Sequence, residues 1–221
     1  MAAAVLDTKL YFAGGIGNSF PSMIDVIDAV TGEQLSLRLS EPRAMMTAPS
    51  DENRIYFAGG LINEFTNSDV IEVFDKRGII ETKVMPRSRT LFTSVASNRL
   101  IFFAGGYLND GSITDSVDIY DERTGQWREG RLSQPRASLS STELGHLVFF
   151  IGGVDSANNT LAAVDIYNTL TSQWSTAQLA QGRILFSVTT ADSMLFIAGG
   201  SLTFTERSSA VTDAVDIYDS R

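Results

Sequence analysis

The sequence predicts an all-β chain made of one four-stranded unit repeated five times. Three observations carry this prediction. Five apolar runs close on paired glycines: "LYFAGG", "IYFAGG", "IFFAGG", "VFFIGG" and "LFIAGG". The first glycines are Gly14, Gly59, Gly105, Gly152 and Gly199, and the second are Gly15, Gly60, Gly106, Gly153 and Gly200. The steps of 45, 46, 47 and 47 residues are the spacing of a repeat architecture. Between the glycine pairs lie short runs of β-branched and aromatic residues bounded by Gly, Asn, Asp and Ser, as strands are. No segment sustains a helical period over about 11 residues.

Each unit parses in the same order. In the third, "TLFTSVAS" is the first strand and "RLIFFAGG" the second, followed by the loop "YLNDGSITD". "SVDIYD" is the third strand, "ERTGQ" a turn, and "WREGRL" the outer strand. Asp121 suits the start of that turn and Gly125 a left-handed position within it. The second strands are continuously apolar rather than alternating, which requires cover on both faces. A stack of small sheets set face to face meets that requirement. The units run over about 1–42, 43–88, 89–135, 136–182 and 183–221, forming a single domain across 1–221.

A glycine pair after an apolar strand, then a tyrosine and, seven residues on, a tryptophan, resembles the kelch repeat. Gly105, Tyr120 and Trp127 match this pattern, as do Gly152, Tyr167 and Trp174. The resemblance covers essentially the whole chain and implies a kelch-type β-propeller of four-stranded blades. Repeat two has Phe74 for the tyrosine and no tryptophan, and repeat one has Ile27 and Leu35 in those slots. Repeat five keeps Tyr218 and stops before its outer strand. Two readings follow: a five-bladed ring with a three-stranded last blade, or part of a six- or seven-bladed ring, the sizes the resemblance implies are commoner.

A second feature is locked to the glycines. Sixteen residues before Gly59, Gly105, Gly152 and Gly199 stand Arg43, Arg89, Arg136 and Arg183. The corresponding position of repeat one falls before residue 1. Each third strand also repeats an acid: Asp25, Glu72, Asp118, Asp165 and Asp216. Two roles are open. The arginines form inter-blade ion pairs with these acids, or they line the channel mouth and receive a carboxylate or acidic peptide by bidentate pairing.

Composition narrows the chemistry. A net charge of −9 opposes general nucleic-acid binding, which needs a basic surface. There is no cysteine and only one histidine, His146, so no metal site and no cofactor are expected. No apolar run reaches the length of a membrane span, and "MAAAVLDTK" is too short and too soon charged for a secretory signal. The expectation is a cytoplasmic protein without catalytic residues. The resemblance implies a protein-interaction scaffold that captures a protein or acidic peptide through the loops after the glycine pairs. A carbohydrate-active enzyme of epimerase or lyase type is the rival, with Glu64 and Glu206 its only candidate acids. A repeat fragment without activity of its own is the third reading.

Overall fold

In a computed structural model, residues 1–17, 20–204 and 210–221 are described. Every regular element among them is a strand, and all strand pairings are antiparallel. Five sheets follow one another along the chain, and they are the blades of a β-propeller. Blade 1 comprises Ala2–Leu6, Lys9–Ala13, Met23–Asp28 and Gln34–Arg38. Blade 3 comprises Thr93–Ser97, Leu100–Ala104, Ser116–Asp121 and Gln126–Arg131, and blade 4 Ser140–Leu144, Leu147–Ile151, Ala163–Asn168 and Gln173–Gln178. Blade 5 has the three strands Ser187–Ala191, Met194–Ala198 and Val215–Asp219.

Blade 2 departs from the four-strand expectation. Its sheet holds Ile55–Ala58, Val70–Asp75 and Gly78–Val84, while residues 47–50 join only through the bridges Thr47 to Ala58 and Ser50 to Ile55. Pro49 has no N–H to give the ladder, so the first strand is interrupted there. The loop after Gly60 adds a hairpin the sequence did not disclose, Leu61–Asn63 paired with Thr66–Asn67.

The chain divides into two compact units, Met1–Leu91 with Tyr107–Gly111, and Phe92–Gly106 with Ser112–Arg221. In the first, Leu6, Tyr11, Ile24 and Val26 of blade 1 pack against Met46, Ile55, Phe57 and Phe74 of blade 2. In the second, Phe102 and Ile119 of blade 3 meet Val148, Phe150 and Tyr167 of blade 4. Leu144, Phe149 and Ile166 of blade 4 pack in turn on Leu195 and Ile197 of blade 5. Trp174 stands opposite Tyr167 in its own sheet and leans across to blade 3, where a Cβ on Gly130 would lie 2.8 Å from its indole. Its place is inter-blade packing. Phe149 and Tyr218 make the matching edge-to-face contact between blades 4 and 5, centroids 4.9 Å apart. In blade 1 the slot opposite Ile27 belongs to Gln34, and Leu35 pairs with Val26 instead.

The cover on both faces holds in the middle of the chain. Every side chain of Ile55–Ala58 and Leu100–Ala104 is buried. In Met194–Ala198 and Lys9–Ala13 only alternate side chains are fully buried. A strand in one of these sheets is therefore as apolar in its surroundings as the blades beside it allow.

Candidate functional site

The repeated arginines and the loops after the glycines form one recurring construction. Arg43, Arg89, Arg136 and Arg183 are all 0 % exposed. Blade 4 shows the arrangement most fully. The Arg136 guanidinium donates to the carbonyls of Gly152 at 3.0 Å, Ala163 at 2.6 Å and Phe150 at 3.2 Å, and it pairs with the Asp165 carboxylate. The other oxygen of Asp165 accepts the Ser133 N–H at 3.0 Å. Arg43 does the same in blade 2 with Gly59, Val70, Phe57 and Glu72, and Glu72 accepts the Ser40 N–H. In blade 5, Arg183 donates to Gly199 and Ala214 and pairs with Asp216, which accepts the Ala180 N–H.

The ion pair thus lies within one repeat rather than between blades in repeats two, four and five: Arg43, Arg136 and Arg183 each open the repeat whose third strand carries the paired acid. The link between repeats is made by the main chain. The Arg136 carbonyl accepts the Gly106 N–H of the preceding repeat at 2.9 Å, and Gly15 with Arg43, Gly60 with Arg89 and Gly153 with Arg183 repeat this bond. The glycine pair is explained by the same contact. At Gly152 the backbone is left-handed, and a Cβ would stand 2.6 Å from the Arg183 carbonyl oxygen. A Cβ on Gly153 would stand 2.7 Å from the Ala137 carbonyl oxygen. Ala137 exchanges both main-chain hydrogen bonds with Val154, as Ala44 does with Leu61, Thr90 with Tyr107 and Ile184 with Ser201.

Burial pulls the guanidinium of Arg136 below its ordinary pKa, and Asp165 works against that shift. Arg43 is lowered by burial in the same way, opposed by Glu72 and Glu41. Breaking such a pair from one side costs about 3–5 kcal/mol, because a charge is left buried without its partner. The enclosed guanidinium groups meet no solvent, so the arginines form no exposed basic ring. An acidic ligand has no such ring to pair with. What the clasps do is hold the base of each loop rigidly.

Those loops interlock with their neighbours inside each unit. In the first, the Asn67 N–H donates to Asn109 Oδ1 at 2.7 Å, Asn67 Nδ2 to the Tyr107 carbonyl at 3.0 Å, and Asn109 Nδ2 to Ser88 Oγ at 2.9 Å. In the second, Thr160 Oγ1 donates to the Leu202 carbonyl at 2.9 Å. At the tip of the Leu61–Asn67 hairpin, Phe65 is 84 % exposed, and its N–H is held by Asn63 Oδ1 at 2.9 Å. A large aromatic presented on a braced hairpin is the feature the sequence reading missed. Only the two short polar-flanked runs around "NEF" could have signalled the hairpin.

The residues singled out for catalysis stay apart. Glu64 is exposed beside Phe65, His146 is an exposed turn residue whose carbonyl accepts from Thr169, and Glu206 lies outside the described residues. Among the described residues, no three His, Cys, Asp or Glu side chains come together as a metal site. Nor is any helix among them long and apolar enough to cross a membrane.

A sheet of this form, repeated five times, each with the glycine pair and acid and four of them opened by a buried arginine, defines a repeat-built β-propeller. Two consecutive repeats are similar to a known motif: the family model described as Kelch motif matches residues 88–131 and 135–178. Those stretches hold the two repeats with both tyrosine and tryptophan, the third and fourth blades of the propeller. No curated protein matches it. The fold is consistent with a protein-interaction scaffold.

Proposed function

We propose that this propeller is a non-enzymatic scaffold that captures a protein partner through the loops after the glycine pairs. The observation that carries this reading is Phe65, a fully presented aromatic on a hairpin pinned by Asn63, Asn67 and Asn109. Burying one such side chain in a partner contributes about 1.5–3 kcal/mol, and rigid aromatics anchor interfaces because little conformational freedom is lost. Loops on a rigid scaffold are where recognition concentrates. The buried arginines, Arg43, Arg89, Arg136 and Arg183, serve recognition indirectly by fixing the loop bases. Glu64 lies beside Phe65 and is exposed, which suits a partner patch that is apolar and carries a lysine or arginine at its edge. The cytoplasm, where peptide-binding scaffolds of this kind act, is the proposed location.

The experiment compares partner capture by the unaltered chain, by Phe65→Ser, and by Leu170→Ser, which removes an equally exposed apolar residue from a turn between outer strands. All three should melt alike. Specific capture is expected to vanish with Phe65→Ser and to survive Leu170→Ser. Undiminished capture by Phe65→Ser removes the basis for this reading.

A further inference from the structure

The outer strand of blade 2, Gly78–Val84, is an edge of its sheet among the described residues. Its side chains set it apart from the outer strands of blades 3 and 4, which expose no large apolar residue. Here Ile79, Ile80 and Val84 are all exposed, Val84 by 60 %. An edge strand presents unpaired main-chain donors and acceptors, a template for pairing with another strand. Apolar side chains along the edge add a gain in burial to those hydrogen bonds.

The register decides which groups face outward. The Met85 N–H donates to the Asp69 carbonyl, and in an antiparallel ladder such bonds recur at every second residue. Lys83, opposite Ile71, and Glu81, opposite Val73, therefore turn their main-chain groups toward the third strand. Thr82 and Val84 turn theirs outward. Glu81 and Lys83 share one face of the strand, where they form an ion pair. The segment reads Ile80-Glu81-Thr82-Lys83-Val84. Reversed about Thr82 it is complementary to itself: acid falls on base, and apolar on apolar.

We propose that this edge pairs antiparallel with the same edge of a second copy of the chain, across a two-fold axis at Thr82. The two Thr82 residues exchange main-chain hydrogen bonds through their outward groups. Glu81 of each copy stands opposite Lys83 of the other at a non-hydrogen-bonded position, where side chains approach most closely. Each ammonium then lies between two carboxylates, and such a network is worth more than an isolated surface pair. Beyond the charges, Ile80 of each copy comes beside Val84 of the other. An axis at Glu81 or at Lys83 would set like charges opposite each other, so charge selects Thr82. The ladder leaves Ile80 without an opposite residue between Glu81 and Ile79, a bulge that ends the regular edge there. Pairing is therefore short, and the association is of the weak, reversible kind. A two-fold contact uses both edges and closes, so it gives a dimer rather than a filament. Phe65 and its hairpin take no part, and failure of either reading leaves the other intact.

The experiment is sedimentation velocity on the protein of residues 1–221, from about 1 μM to about 1 mM. A concentration-dependent dimer is expected. Glu81→Lys or Lys83→Glu alone sets like charges opposite each other twice, and should weaken dimerisation by about tenfold or more. Mixed one to one, the two single variants should associate as the parent does, because each lysine again meets a glutamate. The doubly reversed variant, Glu81→Lys with Lys83→Glu, should dimerise without mixing. A parent that stays monomeric throughout overturns the proposal, and so does a dimer that neither single variant weakens. Loss of the dimer in the single variants with restoration in neither the mixture nor the doubly reversed chain overturns it as well.

Discussion

The pentapeptide Ala-Val-Asp-Ile-Tyr occurs at 163–167 in blade 4 and again at 214–218 in blade 5, in the same register against the second strand. Val164 and Ile166 are buried in a cluster with Leu195 and Ile197. Their counterparts Val215 and Ile217 are 55 % and 59 % exposed. Identical residues in the same register on the second strand differ because the blade 4 copy has an outer strand beside it and a blade laid over it, and the blade 5 copy has neither. In a repeat protein, burial belongs to the neighbour as much as to the sequence, and stability is a sum over units and the contacts between them.

The largest expected difference between the copies is at the clasp. Arg136→Ala leaves Asp165 buried and unpaired, and should lower the free energy of unfolding by about 3–5 kcal/mol. Arg183→Ala should cost clearly less, since the Asp216 side chain keeps 22 % of its exposure and water can replace the guanidinium. Urea denaturation midpoints compare the two, and an equal loss would erase the distinction between the blades. The packing contrast comes next. Ile166→Ala should cost about 2–4 kcal/mol, whereas Ile217→Ala should stay within about 0.5 kcal/mol of the parent.

A sharper version uses the glycines, whose backbones are alike. Gly152 and Gly199 have φ of 62° and 69°, so alanine costs about 1–2 kcal/mol at either for the left-handed backbone. At Gly152 the new Cβ also meets the Arg183 carbonyl at 2.6 Å, while at Gly199 its nearest atom is the Thr212 carbonyl oxygen at 3.7 Å. Thermal melts should therefore rank Gly152→Ala well below Gly199→Ala. Equal melting temperatures would mean that the contact with the next repeat carries no weight.

The smallest effect compares the turns of blades 3 and 4. Burial acts to raise the Asp121 pKa, but the charges and hydrogen bonds of Arg123, with Arg128, leave it below the ordinary 3.8. A depressed carboxylate contributes stability that is complete above its unfolded pKa and lost as pH falls through its folded one. Acid melts of the parent should therefore lose this contribution below about pH 4. Asp121→Asn should lower stability at pH 7 and flatten the acid limb. Blade 4 has Asn168 at this position, its Oδ1 accepting from Leu170 and Thr171, so its turn should be insensitive to the same titration.

Much of this architecture was legible because the residues that set it are rare types at a fixed spacing. The glycine pairs report a backbone that no other residue adopts cheaply, and the arginines report a buried charge that needs fixed acceptors. Other parts left no such trace. Met45, Leu91, Ser138 and Leu185, two residues after each arginine, have positive φ between 50° and 54° without a glycine to announce it. There the clasp on one side and the inner strand on the other hold the chain in a conformation its own residues disfavour. The interruption at Pro49 and the hairpin that presents Phe65 were equally hidden, being local choices within one repeat. The ion pair was anticipated between blades and is found within repeats two, four and five, because spacing along the chain does not say which face of the second strand the guanidinium crosses.

By itself, the sequence determined the repeat, its all-β blades, the left-handed glycine pairs and the matched arginine and acid, since each is a local or periodic property of the chain. Tertiary structure alone decided which apolar faces are covered, which arginine lies over which carboxylate, and that a hairpin presents Phe65. Those are relations between atoms far apart in sequence, and only the packed blades bring them within reach of one another.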